Sequence, residues 1–370
     1  VLHNLRSSYP SMCYAPTEPQ TKQISKSGIQ LFPSGRSKLN HHESKTFSLN
    51  ESTCSSDLQL CRLNNTSLML LSLIAATCTL KVSQIFAALL NTSVVDLYIH
   101  ASFSYDAVET HFDNTALTYV TDYMIFLWML YGCVRLINLG CKFTGKSKRE
   151  RQLRRLCFTT AGLMLSYSIS VLFGGTAHYL CVSWEILNTA LFRMLWTVTV
   201  GMVTMAGGII GLIGTEFAHL LSTTSDKRKR YHVIILPRWF WILYGLVLTY
   251  VVYDGGMSYK RPVCDIFIAG CTQITPTLYA VLVVLSQKWE ENEATMPTLE
   301  FGRNFRVEYF IGFFLNAPML PAYSPLLDSG LALGSINTVL HMGLSIAWGM
   351  QYRSIYNFGL HNLTNLNKTA

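Results

Sequence analysis

Seven stretches of mostly apolar residues, each about as long as a helix that crosses a bilayer, constrain this chain more than any other feature. A membrane-spanning helix needs roughly 20 apolar residues to cross the hydrocarbon core. The stretches lie at 115–139, 157–182, 189–214, 234–253, 263–286, 307–323 and 329–351. Only 14% of the 370 residues are charged, against about 25% in soluble domains. The sequence therefore predicts an all-α polytopic membrane protein with a seven-helix transmembrane bundle in residues 114–352.

Proline residues predict where these helices are irregular. The sixth stretch contains Asn316, Pro318 and Pro321, and Pro325 follows it closely. Proline removes a backbone donor and interrupts a helix, so we expect a broken or short helix there. Pro276 predicts a milder kink in the fifth stretch.

Basic residues are concentrated in loops that the seven spans place on one side of the membrane. Residues 142–155 carry seven Lys or Arg against one Glu, and residues 226–238 carry five against one Asp. Short cytoplasmic loops are enriched in Lys and Arg, so the N-terminus is predicted outside and the tail 353–370 in the cytosol. This pattern predicts an integral membrane protein of the secretory pathway, in the ER or plasma membrane. It leaves no basic soluble domain with stacking aromatics for nucleic acid.

The segment before the first span has two interpretations. Residues 68–90 are apolar and are favoured as a signal peptide, while the alternative is an eighth span that would place 1–67 in the cytosol. Residues 1–67 are polar and without periodicity, which predicts a disordered tail, and a true start at Met69 is a further hypothesis. Residues 91–113 are predicted as a short luminal segment with a glycosylation sequon at Asn91.

Two cysteines, Cys181 and Cys264, fall at outer helix ends. They could form a disulfide between two luminal loops, although two unpaired thiols are equally compatible with the sequence.

Ionisable and amide side chains inside the spans are the candidate functional residues. Such groups are costly in a bilayer and normally face the bundle interior or a cavity. The candidates are Asp122, His178, Glu185, Arg193, Asn337, His341 and Ser345, nearly all in the outer half. Because acidic residues outnumber basic ones at that end, the sequence predicts an outward-opening polar pocket suited to a metal, a proton or an amine.

The last three of these residues share one face of the seventh span. Asn337, His341 and Ser345 are spaced at i, i+4 and i+8, which places them on one helical stripe. Such a stripe can bind a ligand or metal. It can equally be interhelical hydrogen bonding, worth ~0.6 kcal/mol for each contact.

The two histidines suggest a metal. His178 and His341, with Asp122 and a water molecule, make an acceptable zinc coordination shell. Zinc-bound water is acidic enough to attack an amide or ester. The candidate catalytic residues are then Asp122 and Ser345, while Asn337, Arg193 and Glu185 are candidate ligand-binding residues.

The histidine of GGTAHYL in the second span and His341 in the seventh resemble a known pattern. The chain resembles the alkaline ceramidase and progestin/adiponectin-receptor superfamily of seven-span proteins, described as metal hydrolases. That superfamily has SxxxH in span two, an aspartate in span three and HxxxH in span seven. Here Gly174 and Ser345 replace the serine and the second histidine, and the third span has no aspartate. The resemblance implies a zinc-dependent hydrolase acting on a lipid amide or ester.

Two other classes of function stay open. One is a transporter or seven-span receptor or sensor for a small cationic or polar ligand, which the interrupted sixth span favours because discontinuous helices often form transport sites. The other is a non-enzymatic membrane assembly protein, in which the polar residues only join helices. In every case the lipid bilayer is the expected partner.

Overall fold

A computed structural model describes residues 65–90, 113–222, 234–257, 266–286, 299–319, 322, 326 and 329–369. Within those ranges there is no strand. The α-helices are α1 (Asn65–Leu90), α2 (Ala116–Lys142), α3 (Lys148–Leu180), α4 (Ala190–Ser222), α5 (Arg238–Met257), α6 (Ile266–Cys271), α7 (Ile274–Leu285), α8 (Leu299–Met319) and α9 (Leu333–Thr369). A 3-10 turn, Trp184–Asn188, precedes α4. The predicted all-α fold is confirmed.

Each predicted apolar stretch coincides with a helix or, for the fifth, with the pair α6 and α7. Four helices are long and apolar enough to cross a bilayer: Asn65–Val82, Ala116–Lys142, Lys148–Leu180 and Ala190–Leu221. Large apolar side chains stay on the outer surface, such as Met124 and Leu127 of α2 at 65% and 62% exposure. A surface of this kind suits lipid contact and is compatible with a multi-pass membrane protein.

Helix α1 packs against the rest of the bundle. The Ser72 hydroxyl donates to the carbonyl of Phe240 at 2.9 Å, and the Tyr244 hydroxyl oxygen lies 3.2 Å from Thr79 Oγ1. The later residue of α1, Thr79, contacts the later residue of α5, Tyr244, so the two helices run parallel. The segment predicted as a signal peptide or extra span is thus a continuous helix that hydrogen-bonds to α5.

The fifth apolar stretch is broken at Thr272 and Gln273, between α6 and α7. Pro276 lies four residues after Thr272, and a proline ring clashes with the carbonyl at i−4. The Tyr244 hydroxyl donates to this carbonyl at 2.8 Å. The proline predicted to cause only a kink therefore accompanies a complete break. Helix α8, where we expected a broken or short helix, is continuous through Pro318 to Met319, while Pro321 and Pro325 lie outside the described residues.

Small residues bring α4 close to α5. A Cβ added at Gly208 would lie 2.7 Å from the Trp241 carbonyl oxygen, and one at Gly211 would lie 2.1 Å from the Trp241 ring. Membrane helices use small residues in this way to let backbones approach. This contact packs α4 closely against α5.

A network of neutral side chains surrounds the helix break. Asn316 of α8 donates to Gln273 Oε1 at 2.6 Å and accepts from the Trp348 indole at 2.9 Å. Gln273 Nε2 donates to the carbonyl of Val203 in α4 at 2.7 Å. The Tyr167 ring stacks on Trp348 with centroids 4.0 Å apart. These contacts join α3, α4, α8 and α9 at the break.

Candidate functional site

The start of α2, the end of α3 and the start of α9 meet at Asp113. Its carboxylate accepts from the Thr115 amide at 2.8 Å, from the hydroxyls of Thr115 and Thr118, and from Asn337 Nδ2 at 3.0 Å. Its backbone carbonyl accepts from Nδ1 of His178. Asp113 is 5% exposed. One aspartate thus joins three helices at one end of the bundle.

These hydrogen bonds set the protonation of Asp113. Burial alone would raise its pKa, but the donors from Thr118, Thr115 and Asn337 outweigh burial and lower the pKa of the carboxyl below its ordinary value. Donors favour the ionised form of a carboxyl group. Asp113 is therefore a fixed anion that anchors the three helices.

An acid–base pair of side chains lies further into the bundle. His341 Nε2 of α9 is 3.4 Å from Asp122 Oδ1 of α2. The Asp122 side chain is 5% exposed and that of His341 is 14% exposed. His341 Nδ1 is also 2.7 Å from the Thr121 hydroxyl. Both ring nitrogens of His341 therefore contact α2.

The Thr121 hydroxyl has one hydrogen and three possible acceptors. These are His341 Nδ1 and the carbonyls of Leu117 and Thr118, both at 2.8 Å. If the hydrogen goes to His341, neutral His341 carries its proton on Nε2, facing Asp122. If it goes to a carbonyl, His341 donates from Nδ1 and its Nε2 lone pair faces the carboxyl group. The pair thus has two proton arrangements within one geometry.

Glycine residues of α3 make room for Asp122. A Cβ at Gly175 would lie 2.8 Å from Asp122 Cβ, and one at Gly174 would lie 3.3 Å from Thr199 Cγ2. Both positions are thus tightly packed, Gly175 against Asp122 of α2 and Gly174 against Thr199 of α4. The close approach of α2 and α3 keeps the Asp122 carboxyl out of lipid.

His178 has a different setting from His341. A carbonyl oxygen only accepts, so His178 donates Nδ1–H to Asp113 and, when neutral, carries its lone pair on Nε2. Its ring also meets the Trp196 ring edge to face at 5.9 Å. A backbone carbonyl holding one ring nitrogen is a common arrangement for a metal-ligating histidine.

The residues present supply only part of a zinc site. The 3.4 Å between His341 Nε2 and Asp122 Oδ1 is close to the ~3.3 Å that separates two tetrahedral zinc ligands with bonds near 2 Å. Among the described residues, however, no three His, Cys, Asp or Glu side chains form a metal-binding group. A catalytic zinc takes three protein ligands, so the pair alone does not complete one.

The other candidate residues lie apart from the Asp122–His341 pair. Ser345 is half-buried one turn further along α9, Arg193 is half-buried at the start of α4, and Glu185 is exposed on the 3-10 turn. The structure joins Asn337 to Asp113 instead.

The disulfide and glycosylation predictions involve residues that are not described. Cys181 is a buried thiol that lies 3.8 Å from the Ser183 carbonyl. Its predicted partner Cys264, and the sequon at Asn91, lie outside the described residues. Both stay predictions.

Sequence reasoning missed Asp113 and Thr121 as members of this site. Asp113 stands at the end of the predicted luminal segment, outside every span. The pattern Asp-x-Thr-x-x-Thr over 113–118 could have identified it, because short polar residues before an apolar run mark a helix start.

Comparison with models of known protein families, with curated proteins and with solved structures found no match in any of the three.

Proposed function

We propose that this protein is a multi-pass membrane transporter or sensor whose Asp122–His341 pair binds and releases a proton or small cation from the outer side. The observation that carries the proposal is the 3.4 Å contact between two ionisable side chains on facing helices, both nearly buried. Intramembrane Asp and His residues are costly, and they commonly serve ion pathways and proton relays.

The helix break supports the same class of function. Transporters often build their sites from discontinuous helices that leave backbone carbonyls available. The break at Thr272 and Gln273 frees such a carbonyl, which Tyr244 now satisfies. For α6 and α7 to move relative to each other, this hydrogen bond and those of Gln273 with Val203 and Asn316 would have to break.

The proposed topology has seven spans formed by α2 to α9, with the loop 142–155 and the tail of α9 on the cytosolic side. The parallel contact of α1 with α5 adds α1 as a retained eighth span. Its start then lies on the cytosolic side, next to the start of α5. The positive-inside rule supports this orientation because the basic loops 142–155 and 226–238 share that side.

A zinc-dependent hydrolase of lipid amides or esters is the second candidate. The spacing of His341 and Asp122, and the orientation of His178 by a backbone carbonyl, are what favour it. His178, His341 and Asp122 would hold the metal, which would supply an activated water.

One experiment on purified chain in lipid nanodiscs separates these functions. Infrared difference spectra between about pH 4 and pH 8, the range in which free Asp and His titrate, report protonation of carboxyl groups and imidazoles. We expect the carboxyl and imidazole signals of the wild type to change together with pH. This joint change should be absent in both Asp122→Asn and His341→Gln. Ser345→Ala, one turn away on the same helix, is the matched control and should leave the change intact.

Two results would decide against the transporter or sensor. One is a wild-type spectrum with no change that depends on Asp122 and His341. The other is one zinc per chain by elemental analysis, lost in His178→Ala and His341→Ala, which would favour the hydrolase.

A further inference from the structure

An arginine near the other end of α2 binds two tyrosine hydroxyls. Arg135 Nη2 donates to the Tyr356 hydroxyl of α9 at 2.6 Å, and Nη1 donates to the Tyr131 hydroxyl at 2.5 Å. The guanidinium also lies over both rings, 4.9 Å from the Tyr356 centroid and 5.5 Å from that of Tyr131. Within the described part of the chain, no carboxylate neutralises Arg135.

The direction of these hydrogen bonds leaves only donors facing outward. Each tyrosine oxygen accepts a hydrogen bond from Arg135, so each hydroxyl hydrogen can be donated to another group. No described residue accepts either hydrogen. Arg135 has five N–H groups and uses two of them here. The three side chains therefore form a cluster of hydrogen-bond donors with a net positive charge.

The ends of the predicted spans place the cluster near the level of lipid headgroups. Arg135 precedes the end of the predicted span 115–139 by four residues, and Tyr356 follows the end of 329–351 by five. Tyrosine and arginine are typical of this membrane–water boundary. Tyr131 is 46% exposed and the neighbouring Val134 is 47% exposed, so the cluster opens onto the apolar outer surface of the bundle.

We propose that Arg135, Tyr131 and Tyr356 bind the phosphate of an anionic phospholipid in the leaflet next to the basic loop 142–155. Phosphate oxygens only accept at neutral pH, and they match a guanidinium fork and two hydroxyl donors. The exposed apolar side chain beside the cluster favours a lipid over a free phosphate ion, because acyl chains can cover it.

Native mass spectrometry of the full chain from mixed micelles tests this. Phosphatidylglycerol is titrated against phosphatidylcholine, and separately against inorganic phosphate. We expect retention of one phosphatidylglycerol, with affinity reduced roughly five- to tenfold in Arg135→Gln and about threefold in Tyr356→Phe. Arg154→Gln is the matched control. Arg154 also lies over an aromatic ring, 5.5 Å from the Phe158 centroid, but this ring carries no hydroxyl and is not part of the cluster.

Tyr356→Phe keeps the ring and the arginine, so it tests the site even if Arg135→Gln does not fold. Equal retention of both lipids by the wild type would overturn the proposal. An equal loss in Arg154→Gln would also overturn it, by showing general attraction to basic residues. Displacement of the lipid by millimolar inorganic phosphate would identify a soluble anion as the ligand and overturn the lipid assignment.

Discussion

Two nearly buried carboxylates meet basic side chains at opposite ends of the bundle. Glu216 of α4 is 2% exposed and accepts two hydrogen bonds from Arg238, from Nε and from Nη2, the latter at 2.9 Å. Asp122 is 3% exposed and has one contact with His341, at 3.4 Å. One pair is bidentate and the other is a single long contact.

The difference lies in the partner's chemistry. Arginine stays protonated at every physiological pH and presents a rigid fork, so the Glu216–Arg238 pair has one state. Histidine changes its charge near neutral pH, and the Thr121 hydroxyl permits two proton arrangements at His341. The Glu216–Arg238 pair, called the inner pair below, therefore fastens α4 to α5, whereas the Asp122–His341 pair, called the outer pair, has two proton arrangements within one geometry.

The largest expected effect is at the inner pair. Arg238→Ala would leave the Glu216 carboxylate buried without its fork, at a cost of about 2–3 kcal/mol. A fully buried broken pair costs more, but the Arg238 side chain is 36% exposed and water screens the loss. The free energy of unfolding in mixed micelles measures it.

The double variant Arg238→Met with Glu216→Leu is the control, since replacing both partners by apolar residues should recover most of the stability. A loss in Arg238→Ala below about 0.5 kcal/mol, the scale of an exposed pair, would show that the inner pair does not fasten the helices.

An intermediate effect is expected at Asp113. Asp113→Asn should cost about 1–2 kcal/mol at pH 7, because a buried charge-assisted acceptor becomes a neutral amide whose nitrogen faces donors. The lowered pKa of Asp113 means that its stabilisation is complete above the unfolded-state pKa near 4. It is lost as the pH falls through the lower folded-state pKa.

Denaturant titrations at several pH values check this sign. The gap between wild type and Asp113→Asn should be widest at neutral pH and should narrow below about pH 4. Glu185→Gln removes an exposed carboxylate at the same end and should change stability by less than ~0.5 kcal/mol. A gap that stays constant to pH 2 would contradict the assignment of Asp113 as a fixed anion.

The helices could be predicted because apolar length is a local property of the chain. For the same reason, the sequence could predict that Asn337 and His341 share one face of their helix, because helical spacing alone places them together. Membrane crossing is supported for α1 to α4 by length and hydropathy, and the full seven-span topology rests on the proposal above.

The partners of these residues were not accessible from sequence. Asn337 binds Asp113, which is 224 residues away, and the carbonyl freed near Pro276 is satisfied by Tyr244, 28 residues before Thr272. Such pairings depend on which helices pack together, which no local pattern encodes. The zinc hypothesis, which placed His178 and His341 in one shell, stays a prediction; the structure adds that the Asp113 carbonyl holds Nδ1 of His178 and that Nδ1 of His341 lies near the Thr121 hydroxyl.

The smallest expected effect on stability is at the outer pair. A double-mutant cycle with Asp122→Asn and His341→Gln should give a coupling of about 0.5–1 kcal/mol, as for other interhelical contacts in membranes. Asp122→Asn alone should be close to neutral, because removing a buried carboxyl offsets the lost contact. A coupling above about 3 kcal/mol, the upper range for side chains in contact, would make this pair as fixed as Glu216–Arg238. In that case a change of proton at His341 would disrupt helix packing, and the Asp122–His341 pair would no longer differ in kind from Glu216–Arg238.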